Sequence, residues 1–218
     1  MIRGDRTNSR HPSKDSMATT AQALRADPAN RRYGNVSVAL HWIIAALIVI
    51  QVCLGWYFNE VLPDHSPEQR SLITLHVSVG LTILLLVLVR IVWRLTHPAP
   101  PLPEGLATWE RLLARTTHVL FYILLLALPL TGWALVSGRP GQIAFWGIPW
   151  PHLPGVASLV PDRAARKSLQ HLHVYTLIWV VVANLALHVA GALKHQFDGH
   201  PVLWRMIPPM KPGSPTKG

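Results

Sequence analysis

The chain contains four long apolar segments that are separated by polar connections. They cover residues 36–57, 72–93, 116–136 and 169–193. Each segment has about 20 residues or more, which is enough for a helix to cross a hydrocarbon core of about 30 Å. Arg90 and Arg94 close the second segment, where their long side chains can extend toward the lipid headgroups. The pattern predicts an all-α integral membrane protein that folds as an up-down four-helix bundle.

The connections and the two ends of the chain are polar or rich in proline. Residues 1–31 form a basic tail without the apolar core of a signal peptide, and we expect this tail to be disordered. The four-helix domain then covers residues 32–209, and residues 210–218 form a C-terminal tail. Residues 137–167 are rich in Gly, Pro and Trp, and we expect part of this connection to lie on the membrane surface as a short amphipathic cap. Four tryptophans are interpreted as interfacial anchors: Trp42, Trp93, Trp146 and Trp150.

Composition and charge agree with a membrane protein. Half of the residues are hydrophobic, and the formal net charge is +10. The Lys and Arg residues lie beside the apolar segments, which indicates topology signals and anionic lipid rather than nucleic acid as a partner. If both termini lie on one side, only a few of the 20 Lys and Arg residues fall on the other: Arg70, Arg139, Arg163, Arg166 and Lys167. The positive-inside rule therefore predicts that both termini are cytoplasmic.

Histidines occur inside the apolar segments at two matched depths. In the fourth segment, His173 and His188 are 15 positions apart, which is roughly 22 Å along a helix with an angular offset of only about 60°. His41 and His118 lie near the cytoplasmic starts of the first and third segments, and His76 lies near the outer start of the second. Ionisable residues inside a membrane are costly and indicate function. The depths predict an inner pair, His41 with His188, and an outer pair, His76 with His173.

The pairs favour haem over other groups. Zinc usually takes four ligands, often with Cys or carboxylate, and a proton pathway normally includes Asp or Glu within the spans. Low-spin haem needs only two imidazoles from the protein, on opposite faces of the macrocycle. Three small residues near the histidines would let such a ring approach a helix backbone: Gly80, Ala190 and Gly191. We therefore expect two b-type haems. The roles of His118 and His171 stay open between cofactor contact and hydrogen bonding between helices.

Four sequence motifs carry a family resemblance. They are RYGNVSVALHW around His41, LHVSVGLTILLLVLVRIVWRL around His76, THVLFYILLLALPLTGW around His118, and GALKHQFDGHPVLWRMIP after the fourth segment. In this order, over residues 32–209, the chain resembles the bacterial cytochrome b561 family. One departure concerns the fourth segment. The family pattern has the first histidine followed by Glu and one residue nearer to the second, whereas here Val174 follows His173.

The resemblance implies a multi-pass cytochrome of the bacterial inner membrane. It implies two haem b groups, with His41 and His188 as ligands of the inner haem and His76 and His173 as ligands of the outer haem. Some family members oxidise superoxide on the outer side and reduce ubiquinone near the inner side, where a residue in the position of His195 is implicated.

Several further interpretations depend on these assignments. The basic residues Arg163, Arg166 and Lys167 would steer an anion or a small redox partner on the outer side. Candidate partners of the haem propionates are Arg32, Arg90 and Arg94. One alternative function is a haem-bearing membrane anchor that connects a separate dehydrogenase or hydrogenase to the quinone pool. The other is a haem-free helical bundle for scaffolding or transport.

Overall fold

A computed structural model describes residues 32–102, 105–198 and 202–207; of Ala157 and Leu159 only the backbone is described. The tails predicted at residues 1–31 and 210–218 lie outside the described residues. The helices and strands occur in this order: α1 Asn35–Glu60, α2 Pro67–Thr96, α3 Thr108–Ser137, β1 Ile143–Phe145, β2 Ile148–Trp150, α4 Val156–Leu159, α5 Arg163–His171, a π-helical segment Leu172–Leu177, α6 Ile178–Phe197 and a 3₁₀ turn Leu203–Arg205. The segments from α5 to α6 follow one another without a break and form a single fourth long helix, Arg163–Phe197.

The four long helices have the length and apolarity of membrane spans. They contain 26, 30, 30 and 35 residues, and each is long enough to extend beyond a hydrocarbon core of about 30 Å. Many large apolar side chains on their outer faces are exposed, including Val92, Leu112 and Trp179. Such a surface would be unfavourable in water and is suited to lipid. The predicted fold class, a four-helix membrane bundle, is confirmed.

Among the described residues, helix α2 contributes more buried apolar side chains than any other helix. It packs against α1 and α3, and α3 packs against α6. Val79, Ile83 and Val87 of α2 form a buried cluster with Ile44 of α1. The three α2 residues are spaced four apart, so they lie on one face of the helix. This face holds the bundle together between the two levels at which the histidines lie.

The connection between α1 and α2 is fixed by side-chain hydrogen bonds. The Ser66 hydroxyl caps α2 by accepting from the backbone N–H of Gln69, and Pro67 occupies the first helical position. The buried Gln69 side chain donates to the carbonyl of Phe58 and accepts from the backbone N–H of His65. These bonds hold the end of α1 against the start of α2.

Residues 137–167 differ from the expected amphipathic cap. Strands β1 and β2 form an antiparallel hairpin whose two turn residues, Trp146 and Gly147, both have positive φ (52° and 83°), as a type I′ turn requires. The hairpin lies along α2: the Trp146 backbone N–H donates to Ser78 Oγ, and its indole Nε1–H donates to Thr82 Oγ1. The last part of the connection is already helical, because α5 begins at Arg163.

Candidate cofactor site

The outer pair, His76 and His173, brings α2 and the fourth helix together. Their ring centroids are 6.3 Å apart and the ring planes are inclined by 79°. The Phe58 ring packs edge-on against His76, with 5.2 Å between the centroids. His171, the last residue of α5 and two positions before His173, is exposed and contacts Tyr175, so it does not share this site.

The inner pair, His41 and His188, has the same separation. Their ring centroids are also 6.3 Å apart, and the ring planes are inclined by 58°. Helix α3 places two further rings edge-on to His188, those of His118 at 5.2 Å and Phe121 at 5.4 Å. The His118 Nδ1 contacts the carbonyl of Ala114. His188 is therefore enclosed by rings from α1 and α3.

The common separation fits two imidazoles on opposite sides of one iron. Metal–nitrogen bonds to imidazole of about 2.0–2.1 Å put the centres of two rings that bind one metal ion about 6 Å apart. Both pairs match this value. Within the described part of the chain there is no group of three or more His, Cys, Asp or Glu residues arranged to hold a metal ion. Haem iron, by contrast, requires only two imidazole ligands from the protein.

Two glycines make room for the outer rings. A Cβ atom at Gly55 would lie 3.2 Å from Cε1 of His76, and a Cβ atom at Gly132 would lie 3.1 Å from Cε1 of His173. The sequence had suggested small residues for a different role, room for the haem macrocycle, and that role stays a prediction. Gly80 lies against the Gln51 amide, and a Cβ atom at Gly191 would have no described atom within 4 Å. The contacts of Gly55 and Gly132 with the histidine rings were not predicted from the sequence.

The outer histidine of the fourth helix lies in the π-helical segment, Leu172–Leu177. The angular offset of about 60° assumed a regular α-helix from His173 to His188, and that assumption is wrong. A π turn has a wider hydrogen-bonding pattern than an α turn and usually marks one extra residue within an α-helix. It therefore changes the direction in which His173 points relative to His188.

Comparison with known proteins identifies the family. The sequence pattern of prokaryotic cytochrome b561 matches residues 32–209. The chain belongs to this family. It is similar to cytochrome b561 homolog 2 of Escherichia coli (strain K12), with 32% identity over 178 residues, 81% of this chain and 91% of the relative. It is also similar to the probable superoxide oxidase CybB of Yersinia pestis, with 27% identity over 170 residues, 77% of this chain and 90% of that protein.

Membership of the cytochrome b561 family gives the broad biochemical class. The protein is a multi-pass bacterial membrane protein, and the family implies haem b as its cofactor and electron transfer as its activity. The paired histidines are the residues of this cytochrome whose donor set and spacing suit that cofactor.

The end of the bundle that carries the His41–His188 pair is closed by the C-terminal segment. The indole N–H of Trp42 donates to the carbonyl of Met206, and Trp204 and Arg205 are buried. The Arg205 guanidinium donates to the carbonyl of Pro101. Residues 202–207 contain the short 3₁₀ turn Leu203–Arg205 and form part of the packed end of the bundle.

The predicted quinone-site residue, His195, lies in the last turn of α6. Its Nδ1 is buried and has no hydrogen-bond partner among the described residues. Its neighbour Lys194 forms ion pairs with Glu110 in the first turn of α3 and with Asp198. This ion pair joins the two helix ends beside His195.

The basic residues named from the sequence have different surroundings. Arg90 donates to the Ser37 carbonyl at 3.3 Å and lies close enough to His41 for its charge to act on that ring. Arg94 lies over the Tyr33 ring. Arg166 donates to the carbonyls of Leu135 and Gly138 and so caps the C-terminal end of α3, whereas the other two residues of its cluster, Arg163 and Lys167, are exposed.

Proposed function

We propose that this cytochrome holds two haem b groups, and that His41 and His188 would bind the inner haem while His76 and His173 would bind the outer haem. The observation that carries the proposal is the equal separation of 6.3 Å between the ring centroids of the two pairs. When bound, haem b supplies reversible one-electron transfer. The chain's part is to hold both groups in one bundle, at levels about 22 Å apart along the fourth helix.

We also propose an electron path from the outer side to the inner side of the bacterial inner membrane, with both termini cytoplasmic. The donor on the outer side is superoxide. Each superoxide loses one electron and leaves as dioxygen. The acceptor, ubiquinone, takes up two electrons and two protons to form ubiquinol, so two superoxide anions are consumed for each quinone.

The first turn of α5 supports an anionic donor. The Asp162 carboxylate caps this helix by accepting from the backbone N–H of Ala165, and Arg163 and Lys167 are exposed just beyond the cap. A helix N-terminus carries a partial positive charge, and the two cations add to it. His173 lies in the same long helix, roughly 15 Å further along its axis. The resulting potential would guide superoxide toward the outer pair.

The surroundings of His195 support a quinone site at the inner end. The buried Nδ1 of this side chain has no hydrogen-bond partner among the described residues, and an N–H there would be satisfied by the carbonyl of a quinone bound at this end of the bundle. The Lys194–Glu110 ion pair holds the α6 end that carries His195 against α3. His195 would hydrogen-bond the quinone and help to bring a proton to it.

The function is tested by supplying superoxide to the purified, haem-loaded protein in liposomes that contain ubiquinone, and by following haem reduction and ubiquinol formation. We expect both, with a rate that falls as salt increases. The double variant Arg163→Gln, Lys167→Gln should lower the rate about tenfold at low salt and by much less at high salt. His195→Leu should stop ubiquinol formation while leaving haem reduction intact.

One result would favour the alternative function instead. If superoxide leaves the haems oxidised and a large dehydrogenase or hydrogenase subunit co-purifies with the chain, the protein is a membrane anchor that passes electrons from that subunit to quinone. If superoxide reduces the haems equally fast in the double variant at every salt concentration, the proposed guiding role of α5 is wrong.

A further inference from the structure

A single hydroxyl group touches the outer histidine of the fourth helix. Thr131 Oγ1 lies 2.9 Å from Nδ1 of His173. The same oxygen lies 2.8 Å from the carbonyl oxygen of Ala127 and 2.9 Å from that of Leu128, both within its own helix α3. Three polar atoms therefore surround one hydroxyl oxygen at hydrogen-bonding distance.

The number of available hydrogens determines whether the Thr131 hydroxyl or the His173 ring is the donor in their hydrogen bond. A threonine hydroxyl has one hydrogen, and a carbonyl oxygen can only accept. The two short contacts with Ala127 and Leu128 require the Thr131 hydrogen to point toward these carbonyls. The hydroxyl oxygen then has lone pairs left for His173, so Nδ1 must carry a hydrogen and donate it to Thr131.

We propose that Thr131 is a positioning residue for the outer haem, which holds His173 in the tautomer that protonates Nδ1 and leaves the Nε2 lone pair free for iron. This inference rests on the proposed function, because it assumes that His173 is an axial ligand. A histidine ligand that donates its second N–H to an acceptor becomes a stronger electron donor to its metal. Thr131 would therefore favour ferric over ferrous iron and lower the reduction potential of the outer haem.

The local structure is built to make this contact. Gly132, the next residue in α3, leaves space that a Cβ atom would fill at 3.1 Å from the His173 ring. The π-helical segment carries His173 at this level. A threonine in a membrane helix commonly bonds to a carbonyl one turn back, and that bond alone would satisfy its hydrogen. The contact with Nδ1 is additional to that ordinary bond.

The two ligands of the outer pair are then unequal. The Nδ1 atom of His76 is buried and has no hydrogen-bond partner among the described residues. Removing the Thr131 hydroxyl would leave the backbone carbonyl of Leu128 as the acceptor for His173, whereas His76 has no hydrogen bond at Nδ1 to lose among the described residues. The change should therefore affect the outer haem and leave the inner haem unchanged.

The test is a spectroscopic redox titration of the full chain loaded with haem, comparing wild type with Thr131→Val and Thr131→Ser. We expect Thr131→Val to shift the outer potential upward, with about a tenfold change in the ferrous-to-ferric ratio, equal to about 59 mV for a one-electron couple. Thr131→Ser should keep the wild-type value. Thr131→Ala removes the hydroxyl without adding bulk to the helix interface and should reproduce the shift if the valine variant does not fold.

Thr74→Val is the matched control. Thr74 Oγ1 donates to the carbonyl of Arg70 one turn back, and this bond involves no residue of either histidine pair. We expect its outer potential to equal that of wild type. If every variant binds two haems and the outer potential of Thr131→Val equals that of wild type, the inference is overturned while the proposed function stands. The same holds if Thr131→Ser shows a shift equal to that of Thr131→Val. A wild-type protein without haem would overturn the proposed function itself.

Discussion

The ring centroids of His173 and His76 are 6.3 Å apart, although His173 belongs to a π-helical segment and not to a regular α-helix. The sequence places His173 and His188 15 positions apart, one more than the resemblance to the family implies. A π turn accommodates one extra residue while the helix on either side continues in its earlier register. The local widening thus lets the longer spacing coexist with a paired outer site.

Deleting Thr176 should therefore be tolerated. Thr176 is an exposed residue of the π segment, and its loss should convert the segment to regular α-helix without turning His173 away from His76. We expect two haems per chain in this variant, measured as the ratio of haem to protein. Deletion of the exposed Leu85 is the control. Because α2 is a regular α-helix, the loss of one residue there rotates the segment before Leu85 by about 100° relative to the segment after it. That control should lose haem; loss in the Thr176 deletion as well would contradict this role of the π segment.

The space at Gly132 should be needed for the outer haem. A Cβ atom there would lie 3.1 Å from the His173 ring, so Gly132→Val must displace either the ring or the helix. We expect the haem content to fall toward one per chain, with the inner haem retained. Gly191→Val is the matched control, since a Cβ atom at Gly191 would have no described atom within 4 Å. Equal haem contents in the two variants would argue against close packing of the outer ring.

A buried amide should stabilise the contact between α3 and α6 without affecting haem. The Asn184 side chain is 3% exposed and donates to the carbonyl of Thr117 at 3.1 Å. Hydrogen bonds between membrane helices contribute about 0.6 to 2 kcal/mol. We expect Asn184→Ala to lower the free energy of unfolding by about 1 kcal/mol in detergent while both haems remain bound. Wild-type stability in this variant would show that the amide is not needed for packing.

Arg166 should contribute to the stability of the fold and have little effect on the rate at which superoxide reduces the haems. Its guanidinium donates to the carbonyls of Leu135 and Gly138 at the end of α3, so Arg166→Gln leaves that helix end without its cap. We expect a lower Tm with a nearly unchanged rate of haem reduction by superoxide. Arg163→Gln should show the reverse, because Arg163 is exposed. A slower reaction in Arg166→Gln at unchanged Tm would assign Arg166 to donor guidance instead.

Much of the architecture could be predicted because each apolar segment is long enough to span a membrane. The four spans follow directly from segment length and the scarcity of charge. Helix ends were less predictable, since α2 and α3 extend well beyond the apolar segments: Pro67 begins α2 and Thr108 begins α3, where caps and prolines determine the boundary. The hairpin around Trp146 was missed because its strands are only three residues long.

For the candidate site, the sequence could predict which histidines share a depth in the membrane, but it could not predict the directions in which their rings point. Depth follows from position within a span, whereas direction requires a regular helix, and the π segment breaks that regularity at His173. The contacts of Thr131, Gly55 and Gly132 depend on how neighbouring helices are rotated, and a single sequence does not specify this rotation. Arg166 was grouped with its basic neighbours because its partners are carbonyls far away in the chain.

The assignment of the paired histidines as haem ligands is tested by haem quantitation together with the reduced-minus-oxidised visible spectrum, for wild type, His76→Ala and His188→Ala. The account predicts two b haems per chain in wild type. Each variant should retain one haem, His76→Ala losing the outer haem and His188→Ala the inner haem. A wild-type protein without haem, or a haem content that neither substitution changes, would contradict the assignment of the paired histidines as ligands.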